Sequence, residues 1–339
     1  MVPHADYSLT PEEVYKSAFA SLAAGGDLDF LTLVNEERHV NLPSWCPHLL
    51  SERFRMRRLY TLLNHPADRL PQFVADDSTT ASCKVSDNRE NLTVAGALIG
   101  TVVPYLELDD SGKLVTRYFT DEDVWEALCR STVGNICRLS DADHTYTAPS
   151  SFGDVFALDC VDAQERLETQ EIESTYVTVA APLDIPTTTV THAHKNVYGR
   201  PVQSFEEWYR TLTDPSSQTH FPADVLESWA LQHLSRRSIS TDQTIPEIAS
   251  AYDEFRHTSF PRTMAGRRLL FTDTGYIGLG LDTAKSGDVV AVLYGCKMPM
   301  ILRPEEDHFV VVGECYVHGA MYGEALRNVD AKEREFELR

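Results

Sequence analysis

The sequence predicts an α+β protein: a helix-rich body with short strands, followed by a C-terminal glycine-rich antiparallel β module that is small and barrel-like. Three observations predict it. Helical apolar spacing with capping signals recurs between residues 11 and 257, and the pattern switches to period two near residue 266. Nine of the 17 glycines then fall between 266 and 323, at the spacing of turns between short strands. The organisation that follows is an N-terminal helical segment over 1–75, a mixed α/β region over 92–200, a helical layer over 201–260, the β module over 261–325 and a charged tail over 326–339, gathered into one or two compact domains.

The first helix runs from about Pro11 to Ala24. Thr10 caps it, Pro11 suits its first turn, Glu13 completes a capping box, and Gly25-Gly26 ends it. Val14, Tyr15, Ala18, Phe19 and Leu22 fall on the face that should pack inward. Leu28 to Val34 reads as a strand or a short buried segment, and the proline-rich Leu42 to Pro47 as an extended piece pinned by Trp45. Residues 75–91 have almost no apolar content and predict a surface loop or a partly disordered stretch separating two packed regions.

Leu92 to Leu108 is strand-rich, and Thr120 with Asp123 caps a helix that turns Val124, Trp125, Leu128 and Cys129 inward. Asp159 to Glu173 is acidic and predicts a solvated helix; Pro186 to Lys195 is β-branched and predicts a strand. Three helical patterns follow. Ser204 to Leu212 carries Phe205, Trp208, Tyr209 and Leu212, Pro222 to Arg237 carries Leu226, Trp229, Leu231 and Leu234, and Pro246 to His257 carries Ile248, Tyr252 and Phe255. The tail Asp330 to Arg339 is charged and predicts a frayed or helical end.

Composition narrows the partners. With 30 Lys plus Arg against 51 Asp plus Glu, the formal charge of -21 opposes binding to nucleic acid or to anionic membrane surfaces. No run of eighteen apolar residues occurs, and the opening MVPHADYSLT lacks a basic start and an apolar h-region, so a cytoplasmic protein is expected. The seven cysteines are odd in number and scattered, with no C-x-x-C pair, as in a reduced compartment without a zinc ribbon.

One stretch carries more information than the rest. Gly266-Arg267-Arg268-Leu269-Leu270-Phe271-Thr272-Asp273 leads into Gly275-Tyr276-Ile277-Gly278-Leu279-Gly280 and ends at Gly313-Glu314-Cys315-Tyr316-Val317-His318-Gly319. With Gly287-Asp288, Gly295 and Leu302-Arg303 between them, these segments resemble the C-terminal region of fungal heterokaryon-incompatibility (HET) proteins. The resemblance begins at Tyr7-Ser8 and Glu12 to Tyr15, passes through Asp27-Leu28-Asp29 and Leu42 to Trp45, and finishes at Gly313 to Leu326. Departures are Cys46 and His48-Leu49, where the family has an apolar residue and then Asp-Trp, Leu281 for a proline, and Tyr322 for an acidic residue in Met321 to Glu324. In that family an N-terminal effector domain with a TIR-like fold precedes this region. The resemblance therefore implies a recognition or regulatory role through protein contacts, without the effector's own activity.

The candidate chemistry centres on the last glycine-bounded segment. In a strand, Glu314, Tyr316 and His318 share one face, with Glu324 near after two glycine turns. That face is either a general acid/base set, with Glu314 orienting His318, or a hydrogen-bond network that fixes the sheet edge. Trp45, His48 and His65 are candidate walls of a ligand pocket, although all four tryptophans also read as core anchors. His192 and His194 have the H-x-H spacing of some metal sites but no third ligand in sequence, so no metal and no cofactor are predicted. Cys315 reads as a core residue and Gly278-Leu279-Gly280 as a turn. Arg262, Arg267 and Arg268 form a basic cluster for an anionic ligand or for carboxylates of the same chain. No G-x-S-x-G, P-loop, H-E-x-x-H or kinase pattern occurs. A second reading of the whole is a stand-alone, cofactor-independent cyclase, isomerase or hydrolase of fungal secondary metabolism, taking a small organic molecule instead of a protein partner.

Overall fold

The computed structural model describes residues 8–34, 41–49, 73–107, 114–118, 120–138, 145–147, 150–169, 204–239, 251, 254–327 and 332–339. Helix α1 (Pro11–Ala24) has the predicted capping box, with Thr10 Oγ1 accepting from Glu13 N and Glu13 returning to Thr10 N at 2.8 Å. A 3-10 helix (Asp29–Leu33) follows, buried through Phe30 and Leu31. Next come strands β1 (Cys83–Val85) and β2 (Leu92–Val103), helix α2 (Asp121–Thr132), and a two-stranded ribbon of β3 (Ile136–Arg138) and β4 (Thr145–Thr147). The helical layer consists of α3 (Ser151–Thr169), α4 (Phe205–Thr213), α5 (Ala223–Arg237), a π-helical turn (Phe255–Ser259) and α6 (Phe260–Met264).

Strands β5 (Arg267–Thr272), β6 (Ile277–Leu281), β7 (Val289–Leu293), β8 (Met300–Glu305), β9 (His308–Glu314), β10 (Tyr316–Val317) and β11 (Lys332–Leu338) complete a nine-stranded sheet with β1 and β2. Its pairings run β2 to β11, β11 to β9, β9 to β8, β8 to β7 and β7 back to β2, a closed circuit of five strands. The far end of β2 extends the sheet through β5 and β6 to β10. The fold is α+β, as the change of period at 266 predicts, but the sheet is mixed because β11 meets β9 in parallel.

Strand alternation decides where the core sits. In β7, Val289, Ala291 and Leu293 pack with α1, the 3-10 helix and Trp45, while Val290 and Val292 join a second cluster with Ile99, Leu270, Ile301, Val312 and Val317. In β5, Leu269 and Phe271 face the helical layer and Leu270 faces the other way. Both faces of the sheet are thus covered, which is why β7 is apolar at every position.

Several sequence expectations are corrected here. The tail expected to be frayed or helical from Asp330 to Arg339 is, in its described part, a strand: β11 pairs with β2 over seven residues, because Phe336 and Leu338 alternate inward and are fully buried. Arg334 lies over the Phe309 and Phe336 rings at 5.0 and 5.1 Å. Residues 75–91 are not a simple surface loop: Val74 N and Ala75 N donate to the carbonyls of Met321 and Lys297, Ala75 and Asp76 are buried, and β1 joins the sheet. The segment expected to pack as a solvated helix after Asp159 belongs to a helix that begins at Ser151 and buries Val155, Phe156, Cys160 and Ala163.

On α1 the buried residues are Phe19 and Ala23, while Val14 and Leu22 stand 48% and 41% exposed; Leu231 on α5 is also exposed. Gly278 and Gly280 lie in β6 and not in a turn. A Cβ at Gly278 would come within 2.3 Å of the Tyr316 carbonyl, so glycine lets β10 approach β6. The predicted strand at 186–195 and the residues Ile248 and Tyr252 lie outside the described residues.

Candidate functional site

The face proposed for Glu314, Tyr316 and His318 is split by the sheet. Glu314 ends β9 opposite Met300, Cys315 N then donates to Pro299 O at 2.9 Å, and Tyr316 pairs with Leu279 of β6. The chain changes partner strand at this step. Glu314 is buried beside the Arg267 guanidinium, which it helps keep charged against burial. His318 lies beyond β10, its backbone N donating to Ile277 O at 2.9 Å.

Tyr316 and His318 do meet. Tyr316 Oη lies 3.0 Å from His318 Nδ1. Burial pushes the Tyr316 phenol far above its usual range, so it stays protonated; which of the two groups donates follows the imidazole tautomer. Burial also pushes His318 down to about 4; Glu126 and Asp123 of α2 oppose the shift and Arg130 adds to it. The imidazole is therefore neutral near pH 7 and a weak base.

Tyr118 ties this face to the sheet. Its hydroxyl accepts from Ile277 N and donates to the His318 carbonyl, each at 3.1 Å, and its ring lies 5.7 Å from the imidazole. Phe73 packs against Tyr316 and Tyr322 at 6.1 and 5.3 Å between ring centroids. Glu324 accepts from Tyr322 N at 2.6 Å, and its charge further raises the pKa values of the buried Tyr316 and of Tyr322. What the arrangement does chemically is hold a neutral imidazole against a phenol that keeps its own proton at neutral pH.

The other sequence candidates separate. Trp45 is fully buried, packs edge-on to Phe30 and donates from Nε1 to Glu90 O at 3.0 Å, so its ring is a core anchor; His48 lies partly buried three residues on. His65, His192 and His194 lie outside the described residues. Among the described residues no three His, Cys, Asp or Glu side chains could hold a metal ion. Arg267 donates to Thr263 O at 3.1 Å and feels Glu314 and Asp282; Arg268 donates to Gln218 O at 3.2 Å and feels Asp288 and Asp282. Both cations thus face carboxylates of the same chain. Cys315 is buried with its thiol 3.4 Å from Pro299 O, and burial pushes its pKa up, as suits a core residue.

Sequence reasoning missed Tyr118, and it missed a second polar centre in the helical layer. Asp154 of α3 is bonded to His233 Nε2 at 2.9 Å and to Arg237 Nε and Nη2 at 3.1 Å, with His233 and Asp154 both buried. Burial alone would raise the Asp154 pKa; the hydrogen bonds from His233 and Arg237 outweigh it and hold the carboxyl below its usual range. The one local signal was the spacing of His233 and Arg237, one helical turn apart.

Residues 234–338 match the Het-6 beta-barrel domain. Heterokaryon incompatibility protein 6, OR allele, of Neurospora crassa is 36% identical over 78 residues, which is 22% of this chain and 11% of that protein. No solved structure matches. The two matches support the resemblance to the C-terminal region of HET-like proteins. The domain match spans β5 to β11 and includes Tyr316 and His318.

Proposed function

We propose that this heterokaryon-incompatibility-like protein acts as a recognition or regulatory region through protein contacts, with the effector activity residing outside these 339 residues. The match of residues 234–338 carries the reading. In the same reading the closed circuit of strands is a small barrel that serves as a scaffold. Its polar face is consistent with that: the hydroxyls of Tyr118 and Tyr316 are spent on the chain's own backbone and imidazole. Apolar side chains stand instead on the outer side of α1, where Val14 and Leu22 are exposed. The protein is expected to be cytoplasmic and to bind neither nucleic acid nor membrane, given its formal charge of -21.

The test is expression in a filamentous fungus in which an incompatibility reaction is scored. The wild-type chain should alter the reaction, the double variant Val14→Asp/Leu22→Asp should lose the effect, and His318→Gln should keep it. Loss in His318→Gln with retention in the double variant would instead favour the second reading, an enzyme acting on a small organic molecule. That reading has one specific support, the Tyr316 to His318 bond, and requires turnover to fall about 100-fold in the His318 variant.

A further inference from the structure

The helical layer holds a buried donor that needs a partner. Trp125 of α2 is 2% exposed, and its indole Nε1–H has no acceptor among the described residues. A buried indole N–H without an acceptor is strongly disfavoured, and buried donors of this kind are satisfied by ordered water when no protein group reaches them. The surroundings suit one. Gly153, in the first turn of α3, is the residue facing the indole. An ideal Cβ there would lie 3.7 Å from Trp125 Nε1 and 3.5 Å from His233 Nε2 and Cε1, at ordinary contact distance from both rings.

The next residue is Asp154, whose carboxylate accepts from His233 and Arg237. Two carboxylate oxygens offer about four acceptor sites, and those three bonds leave capacity for another donor. The Trp125 and His233 rings lie 5.7 Å apart, flanking the same spot.

We propose that one water molecule is bound over Gly153, accepting a hydrogen bond from Trp125 Nε1–H and donating to the Asp154 carboxylate. Gly153 is then a residue that keeps room open, and its lack of a side chain is a binding feature. The water joins α2 to the Asp154 of α3 that α5 already holds through His233 and Arg237, and α2 is the helix whose Glu126, Asp123 and Arg130 act on His318.

The experiment uses the full chain labelled with ¹⁵N. The indole N–H of Trp125, assigned by its disappearance in Trp125→Phe, should show a nuclear Overhauser peak to a long-lived water. Gly153→Ala should abolish that peak and lower Tm by about 2 °C or more, although alanine is the better helix former. Gly153→Ser, whose hydroxyl can take the place of the water, should restore Tm. A wild-type spectrum without the water peak overturns the proposal, as does a Gly153→Ala protein that keeps the peak or melts higher. Should Gly153→Ala fail to fold, the wild-type peak and the Gly153→Ser melt decide alone.

Discussion

Two histidines of this protein lie near α2 and are held in different ways. His318, just past the end of β10, shares a hydrogen bond with a phenol two residues away, and burial pushes it down to about 4. His233, in the helical layer, is bonded to a carboxylate 79 residues away that also carries a guanidinium. The difference teaches where each region obtains its polarity. At the end of β10 two residues on either side of a shared neighbour meet, so a local motif supplies a neutral pair; packed helices bring distant positions together and can assemble ionic groups. The sheet site is therefore neutral and locally written, and the helical site is charged and assembled.

The largest test of this contrast is His233→Ala, which removes one partner of buried Asp154 and should cost about 3 kcal/mol in urea unfolding. A loss well under 1 kcal/mol would mean that Arg237 alone sustains the carboxylate. On the sheet side, Tyr118→Phe leaves Ile277 N and the His318 carbonyl without their shared hydroxyl and should cost about 2 kcal/mol. His318→Ala should cost about 1–2 kcal/mol by stranding the fully buried Tyr316 hydroxyl. If it instead leaves Tm unchanged, the network is not structural and the acid/base reading gains.

Acid titration separates the two sites by window. The folded pKa of His318, about 4, lies below the ordinary 6.5, so the unfolded chain binds more protons in between and stability rises with pH there. Its contribution is complete above 6.5 and lost as pH falls towards 4. Asp154 is also depressed, so its contribution is complete above the ordinary carboxylate value of 3.8 and is lost only below it. Urea midpoints at pH 7, 5 and 3 should therefore show His318→Gln flattening the upper part of the profile and Asp154→Asn the lower part. The smallest expected change is in Val14→Asp/Leu22→Asp, whose sites are exposed and whose stability should stay within about 0.5 kcal/mol of wild type. A larger loss would show that the outer side of α1 packs within the protein.

Legibility in the sequence followed the range of the forces. The caps at Thr10 and Thr120 were readable because each rests on groups three residues apart. The Tyr316 to His318 contact was readable for the same reason. Glu314 looked equivalent and is not, since the switch of strand partners at Cys315 is a property of the sheet. Val14 and Leu22 carried the right period for the core of α1, but only the neighbours decide which side of a helix is covered.

The sequence by itself determined the α+β class, the position of the change from helical to strand periodicity, the helix caps and the resemblance of the last third to HET-like proteins. Those depend on spacings of two to four residues and on local glycine turns. Only the tertiary structure decided that the charged residues 332–338 form a strand paired along β2, that Tyr118 clasps the His318 segment, and that Asp154, His233 and Arg237 meet. Each of these needs a partner scores of residues away, and a charged side chain gives no local sign of whether water or another part of the chain will solvate it.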